Sequence, residues 1–312
     1  MHGGRKMTIE DIVKAMLEKA TIRGSDWGGS RLTCAQTCKR KHYYEHELVM
    51  PTGVGLTMKD SKLAPTKGTL AHVGLQTYYT LKMHGFHSEL DNLDVIVIAI
   101  KTMLDAIPQF GLSDLQIPLL RDELISMMDQ YVKRWQGEDS EVLGVEMPIS
   151  LRIGDHVHTG LVDLFARWQG SLYVVDHKTT SAALEFLFKK LLFDISLKGY
   201  AKALRETTGE KVDALINGIR FRGNKALDVE FEREPIMYSD AEMAEFEPTV
   251  LSILDELRRC RENNFYPKSG AQCVQIWGEC DYRRLCVYPD PAMVSAFYNP
   301  RKPNPEPEEG GA

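Results

Sequence analysis

The chain has 312 residues, of which 43% are hydrophobic, and it carries a net charge of −6. This length is sufficient for one large domain or two small ones, and the acidic balance argues against a protein that simply coats nucleic acid. No apolar run is long enough for a membrane span, and the first residues show no secretory signal. We therefore expect a cytoplasmic protein whose six cysteines are free thiols or metal ligands.

The N-terminal part of the sequence is predicted to be mostly helical. Residues 8–20 and 30–47 show helical patterns, with Ser30 as the N-cap of the second helix. Residues 50–68 are rich in Gly, Pro and Thr, which predicts a loop. Three further helices are predicted at 69–84, 91–107 and 116–136.

The pattern changes to alternating strands in the middle of the sequence. Strands are predicted at 141–154, 156–168 and 171–180, and Gly-containing pairs between them fit the tight turns of a meander. The later elements are a helix at 183–206, strands at 212–222 and 227–233, and a helix at 239–263. This order predicts an α/β core behind a helical N-terminal region. No dinucleotide-binding or Walker A motif is present.

We expect three segments along the chain. Residues 1–29 form an N-terminal helix and linker, and residues 30–290 form one domain. Residues 291–312 are rich in Pro and Glu and are expected to be a disordered acidic tail.

The strand "LYVVDHKTT" carries an acid and a lysine two positions apart, Asp176 and Lys178. Side chains alternate along a strand, so both point to the same side. If the neighbouring strands form a hairpin, Asp163 lies beside Asp176, and two close carboxylates favour a cation between them. Mg²⁺ or Mn²⁺ suits such oxygen ligands, and the carbonyl of His177 adds another.

This arrangement predicts metal-assisted hydrolysis of a phosphodiester. Lys178 orients or helps to deprotonate a metal-bound water and stabilises charge on the phosphate. The alternative for an isolated Asp-x-Lys pair is a surface ion pair at a strand end. The preceding Asp163, thirteen residues earlier and after a glycine, favours the catalytic interpretation.

The set of motifs resembles the PD-(D/E)-x-K nuclease superfamily, and within it the RecB-like exonuclease branch. "GTLAHVGLQTYY" resembles the branch's helix with a metal-binding histidine, here His72. "GVEMPI" places Glu146 where the first core strand often carries an acid. "GLVD" and "DHKTT" supply Asp163, Asp176 and Lys178.

One motif of that branch is altered in this sequence. The branch carries Gln-Leu-x-x-Tyr on the helix that follows the catalytic strand, and "SLKGY" keeps Leu197 and Tyr200 but has Ser196 in place of Gln. The role of the glutamine, which contacts the substrate or a water near the metal, is therefore open.

The resemblance implies a restriction-endonuclease-like fold with a mixed central sheet flanked by helices. It also implies a Mg²⁺- or Mn²⁺-dependent DNA exonuclease that acts on single-stranded or duplex ends. Related roles are recombination, repair and the processing of phage or mobile-element DNA, in a bacterial or phage-infected cell. The expected partners are DNA and either a single-strand annealing protein or a helicase, because the chain has no helicase motif.

Three cysteines near the C-terminus, Cys273, Cys280 and Cys286, follow a C-x6-C-x5-C spacing. Four thiolates suit zinc or an iron–sulfur cluster, and the absence of closely paired cysteines favours the cluster. "CKRKHYY" resembles the start of AddB and CRISPR-adaptation nucleases, which implies that Cys38 is the fourth ligand of a C-terminal [4Fe–4S] clasp. Cys34 is the alternative fourth ligand, and Cys260 is expected to be a thiol that is buried or does not bind the cluster.

Two alternative functions remain open from the sequence alone. A non-catalytic DNA-binding or scaffold protein could use the same fold, although the catalytic acids and lysine are intact. A zinc-stabilised interaction module without a role on DNA would differ in its metal and in its colour.

Overall fold

The structure is a computed structural model that describes residues 28–50, 53–59, 63–86, 92–222, 228–275 and 278–301. The predicted helix at 8–20 and the acidic residues at 302–312 lie outside the described residues.

A five-stranded mixed sheet forms the centre of the described chain. Its strands, in the order in which they lie side by side, are β4 (Ser140–Ile153), β5 (His156–Trp168), β6 (Ser171–Thr180), β7 (Val212–Phe221) and β8 (Val229–Ile236). Every neighbouring pair is antiparallel except β6 and β7, which are parallel. The predicted α/β class with a central mixed sheet is confirmed.

Small strands occur outside this sheet, near both ends of the described chain. Val49 pairs with Val54, Val274 pairs with Glu279, and Tyr298 pairs with Met58. These strands are β1 (Val49–Met50), β2 (Gly53–Val54), β3 (Leu56–Met58), β9 (Val274–Gln275), β10 (Gly278–Glu279) and β11 (Tyr298–Pro300).

Helices cover both faces of the sheet, because the central strand β6 is apolar on both sides. Tyr173 and Val175 of β6 pack into one core, and Leu172 and Val174 pack into the other. The helices are α1 (Gly29–Thr37), α2 (Lys39–His42), α3 (Leu63–Met83), α4 (Asn92–Asp105), α5 (Gln116–Trp135), α6 (Leu184–Leu191), α7 (Ile195–Thr208), α8 (Asp240–Ala244), α9 (Phe246–Glu262), α10 (Arg283–Val287) and α11 (Pro291–Phe297).

The helix predicted at 183–206 is two helices, α6 and α7. The break occurs at Asp194, whose carboxylate accepts hydrogen bonds from the backbone N–H groups of Ser196 (2.8 Å) and Leu197 (3.1 Å). An aspartate N-cap satisfies backbone donors at the start of a helix and therefore begins α7 anew.

The helix predicted at 30–47 is also divided. Its parts are α1, α2 and a π-helical turn at Tyr43–Glu47, and the division occurs at Cys38, which has an extended backbone. Ser30 is not the N-cap: Gly28 holds that position without a side-chain hydrogen bond. The predicted loop at 50–68 is wrong in two parts: Gly53–Val54 and Leu56–Met58 form β2 and β3, and α3 already begins at Leu63.

A third, small core joins the two ends of the described chain. It consists of Tyr44 and Leu56 from the N-terminal side and Tyr282, Leu285 and Tyr298 from the C-terminal side. The prediction of a disordered tail is therefore wrong for residues 291–301. That segment forms α11 and β11, because its apolar side chains complete this core.

Within the described part of the chain, no helix combines the length and the apolar character needed to cross a membrane.

Candidate active site

Two acids meet where β5 and β6 pair in the sheet. Leu164 pairs with Val175, so Asp163 and Asp176 are the next residues along the two strands. The backbone N–H of His177 donates to Oδ2 of Asp163 at 2.9 Å. The hairpin therefore places the two acids at adjacent positions of neighbouring strands, but Asp176 is not among the residues whose donor atoms lie within 4.8 Å of one another at this site.

Glu146 lies on the neighbouring strand in an unusual backbone conformation. Its φ is +46°, and it falls between the regular pairs Val145–Leu164 and Met147–Val162. A left-handed conformation is rare and strained for a residue other than glycine, and such strain is concentrated at functional sites. The Glu146 side chain is buried, so the strain holds a carboxylate inside the protein.

His72 reaches these acids from helix α3. Its Nδ1 lies 3.3 Å from Oδ2 of Asp163, and donor atoms of His72, Glu146 and Asp163 all lie within 4.8 Å of one another. One imidazole and two carboxylates form a donor set that fits Mg²⁺ or Mn²⁺. We call His72, Glu146, Asp163, Asp176 and Lys178 the carboxylate site.

Asp176 forms an ion pair with Lys178, as the alternation of side chains along β6 predicts. Burial raises the pKa of Asp176, against the effect of Lys178, and the nearby charge of Asp163 adds to the rise. Burial alone would lower the pKa of Lys178, but Asp176 and Asp163 raise it above its usual value. Lys178 is therefore a cation at neutral pH.

The pKa of Asp163 is shifted in the opposite direction to that of Asp176. Burial alone would raise its pKa, but His72, with His177 and Lys178, lowers the pKa of Asp163 well below its usual range. Two adjacent carboxylates whose pKa values move apart have different chemical roles. Asp163 is the permanent anion of the pair.

Tyr200 of helix α7 lies against the strand that carries Asp163. A β-carbon at Gly160 would lie 2.3 Å from the Tyr200 ring, so only glycine allows this close approach. Burial raises the pKa of the Tyr200 phenol, and the nearby Asp176 and Asp163 raise it further. Tyr200 is therefore a neutral hydrogen-bonding group beside the carboxylates.

Ser196, which stands where the related motif has glutamine, packs against helix α1. A β-carbon at Gly29 would lie 2.2 Å from Oγ of Ser196, so the two backbones are in close contact. A longer side chain at position 196 would have to displace α1. The serine is thus explained by the packing between α1 and α7.

The side chain of His177 lies away from Asp176, against helix α3. Asn217 of β7 contacts its Nδ1 at 2.7 Å. The sequence interpretation used only the backbone carbonyl of His177 and missed Asn217. The available signal was a polar residue in the apolar strand "VDALINGIRF".

The four cysteines expected to bind a cluster line one cavity of about 220 Å³. Cys38 comes from the junction of α1 and α2, and its Sγ accepts a hydrogen bond from Ser269 N–H at 3.4 Å. We call this pocket the cysteine cavity; its thiols are Cys38, Cys273, Cys280 and Cys286.

The four thiols do not form a close group of donors in this structure. Among the described residues, the groups with three donors within 4.8 Å are the one around His72 and one formed by Cys34, Glu45 and His46. No three thiols of the cavity lie that close to one another.

Cys34 and Cys260 do not line this cavity. The Cys34 thiol lies 3.6 Å from the Glu45 carboxylate, and burial, together with Glu45, raises its pKa to about 12. Cys38, and not Cys34, lines the cavity together with the three C-terminal cysteines.

Comparisons with known proteins agree with these motifs. Residues 27–287 match the PD-(D/E)XK nuclease superfamily. No curated protein matches the chain.

Two solved structures are similar at low identity. A candidate exonuclease from Eubacterium rectale is 12% identical, with 86% of this chain and 92% of that chain covered and a TM-score of 0.46. The structure of SSO0001 is also 12% identical, with 83% and 92% covered and a TM-score of 0.25. Likenesses this distant bear on neither fold nor activity.

The family match alone covers most of the 312 residues, including the carboxylate site and the cysteine cavity. The chain belongs to the PD-(D/E)XK nuclease superfamily.

Proposed function

We propose that this protein is a metal-dependent DNA exonuclease that hydrolyses phosphodiester bonds at single-stranded or duplex ends. One observation carries the proposal: donor atoms of His72, Glu146 and Asp163 lie within 4.8 Å of one another, beside the Asp176–Lys178 pair. Membership of a nuclease superfamily supports the same reaction class.

His72, Glu146 and Asp163 would hold the ion, and Asp176 and the carbonyl of His177 would complete its ligands. When bound, Mg²⁺ or Mn²⁺ polarises the phosphate and lowers the pKa of a bound water. Because its pKa is raised, Lys178 serves as a cation that orients the water and stabilises charge on the phosphate. Tyr200, a neutral phenol near Asp176 and Asp163, would donate a hydrogen bond to the bound substrate.

A second cavity, bordered by the three residues that follow Lys178, favours a nucleic-acid substrate. It has a volume of about 150 Å³ and lies at the carboxyl ends of the parallel strands β6 and β7, where ligands bind in open α/β sheets. Lys67 borders it, paired with Glu123 at 2.6 Å, and hydroxyl groups follow directly after Lys178. These hydroxyls, on Thr179, Thr180 and Ser181, can donate to a neighbouring phosphate.

We further propose that the cysteine cavity holds a [4Fe–4S] cluster with a structural role. Cys38 precedes Cys273 by more than 200 residues, so a shared cluster joins distant parts of the chain. The four thiols line one cavity of about 220 Å³. The absence of closely paired cysteines in the sequence favours a cluster over zinc. Nothing in the proposed hydrolysis requires electron transfer from this group.

The proposed setting is recombination, repair or the processing of phage or mobile-element DNA. A single-strand annealing protein or a helicase would act beside the nuclease, because the sequence has no helicase motif. The RecB-like branch of the superfamily, inferred from the sequence motifs, is part of this proposal.

Nuclease assays on end-labelled linear DNA and on closed circular DNA test the proposal. Anaerobically purified protein with Mg²⁺ or Mn²⁺ is expected to degrade linear DNA only. Asp176→Ala should abolish this activity, whereas Asp255→Ala, which removes an exposed acid on α9, should not change it.

Other results would change the assignment. Cleavage of the circular DNA would identify an endonuclease. A folded, brown protein that binds DNA but cleaves neither single-stranded nor duplex substrates would indicate the non-catalytic DNA-binding or scaffold protein. A colourless protein that contains zinc would contradict the cluster.

A further inference from the structure

A buried polar network lies next to the carboxylate site, between the sheet and helices α3 and α5. The hydroxyls of Tyr79 and Tyr131 are 2.7 Å apart, and Asn217 Nδ2 donates to the Tyr131 hydroxyl at 2.9 Å. Nη2 of Arg233 donates to the Tyr79 hydroxyl at 2.9 Å. Such a network of short contacts allows little freedom to any member.

Arg233 is the fixed element of this network. Its guanidinium pairs with Glu138 and lies 4.0 Å from the centre of the Trp135 ring. The side chains of Arg233 and Glu138 are 5% and 7% exposed, so the pair is almost completely removed from water. The charge is compensated, and the remaining donors of Arg233 point at the network.

Arg233 determines how the Asn217 amide is oriented. Arginine can only donate hydrogen bonds, and its Nε lies 3.5 Å from Oδ1 of Asn217. The reversed amide would place N–H groups against the guanidinium N–H. The amide nitrogen of Asn217 therefore faces Tyr131 and His177.

The orientation of Asn217 in turn determines the tautomer of His177. The amide nitrogen can only donate, so Nδ1 of His177, at 2.7 Å, must be the acceptor. The neutral imidazole then carries its proton on Nε2.

His177 contacts two groups that would hold the metal. Its ring lies parallel to Tyr79, with centroids 5.6 Å apart, and meets the His72 ring at its edge, with centroids 5.8 Å apart. Its backbone N–H donates to Asp163. A displacement of His177 therefore moves both His72 and Asp163.

We infer that Asn217 and His177 are positioning residues, which hold His72 and Asp163 in the geometry that binds the divalent ion. This inference rests on the proposed function, since it concerns the same site. Partners behind metal ligands typically change metal affinity by about 10- to 100-fold when they are removed.

Mn²⁺ affinity, measured by electron paramagnetic resonance of the free ion, tests the inference without an activity assay. Asn217→Leu is expected to weaken Mn²⁺ binding by about 10- to 100-fold. The matched control is Asp213→Asn on the same strand, a buried residue that accepts from Arg205 Nη2 at 2.8 Å and contacts neither His72 nor His177. It should leave Mn²⁺ affinity unchanged.

A spectroscopic measurement separates positioning from general stability. Nitrogen-15 labelling of histidine, with the His177 signals assigned by their loss in His177→Phe, should show the proton on Nε2 in the wild type. Asn217→Asp replaces the donor by a second acceptor and should move the proton to Nδ1. This readout remains available if Asn217→Leu does not fold.

Two results would overturn the inference: wild-type Mn²⁺ affinity in folded Asn217→Leu, or a proton on Nδ1 of His177 in the wild type. If the wild type binds no Mn²⁺, the proposed metal site itself is wrong, and the inference fails with it. The wild-type titration thus distinguishes the two failures.

Discussion

The carboxylate site and the cysteine cavity are assembled over very different distances in sequence. The acids and the lysine of the first lie between positions 146 and 178 on three neighbouring strands, whereas Cys38 and Cys286 lie near opposite ends of the described chain. The first is supported by two large cores, the second by one small core. The acids of the first site are held by the sheet itself, whereas the four thiols of the second depend on what joins distant segments of the chain.

The largest expected effect concerns the cysteine cavity. Cys38→Ala should remove the visible absorbance of the cluster and lower the free energy of unfolding by about 5 kcal/mol, the closure entropy of a cross-linked loop of this length. Denaturant unfolding under anaerobic conditions measures this loss. Cys260→Ala, which removes a buried thiol outside the cavity, should cost about 1 kcal/mol and keep the colour. Equal losses of unfolding free energy in Cys38→Ala and Cys260→Ala would contradict the proposal that a cluster in the cavity joins distant segments.

The next effect concerns catalysis at the carboxylate site. Lys178→Met removes the cation beside Asp176 and should lower kcat by about 100- to 1,000-fold, and it should also lower the free energy of unfolding, because it leaves the Asp176 carboxylate without its ion-pair partner. Single-turnover cleavage of end-labelled DNA by the folded variant measures the rate. Lys189→Met, an exposed lysine paired with Glu185, is the control and should retain the wild-type rate. A wild-type rate in Lys178→Met would contradict the catalytic role of this lysine.

A smaller effect is expected from packing behind Asp163. Gly160→Ala forces a methyl group into the Tyr200 ring and should cost about 1–3 kcal/mol of unfolding free energy. Thermal unfolding measures it. Gly137→Ala has open space around the new methyl group and should be close to neutral. Wild-type stability in Gly160→Ala would mean that Tyr200 moves freely.

The smallest expected effect is the pH dependence of the unfolding free energy that His158 of β5 contributes. Burial lowers the pKa of His158 to about 4, and its two ring nitrogens have no hydrogen-bond partner among the described residues. The unfolded chain, with a histidine pKa of about 6.5, takes up the proton first. The contribution of His158 to stability is therefore complete above that pH and falls by about 2 kcal/mol between pH 7 and pH 5.

Unfolding of His158→Phe at several pH values tests this assignment. As the pH falls from 7 to 5, the free energy of unfolding of the variant should decrease less than that of the wild type. An unchanged decline would assign the acid sensitivity to other groups.

The sheet and the pair Asp176–Lys178 were predictable from the sequence. The strands alternate clearly, and the tight turn at 169–170 fixes which residues of β5 and β6 face each other. His72 was predictable only by resemblance, since nothing in its helix distinguishes a metal ligand from a packed histidine.

The remaining features depend on contacts that no local pattern contains. The left-handed backbone of Glu146 and the contact of Ser196 with Gly29 arise from packing between elements far apart in sequence. The ordered structure of residues 291–301 has the same origin, because β11 forms by pairing with β3. Composition indicated disorder there because composition does not report such a partner.

The pairing of Tyr298 with Met58 also has a consequence for biosynthesis. During translation, the chain from Gly29 to Phe221 leaves the ribosome before Cys273 is made, so the sheet and its acids can fold early. The cysteine cavity is completed only after Cys286 has been made, and the small core beside it only when β11 pairs with β3. A ribosome that stalls before residue 273 would therefore release a chain with its acids in place but three of its four cavity thiols missing.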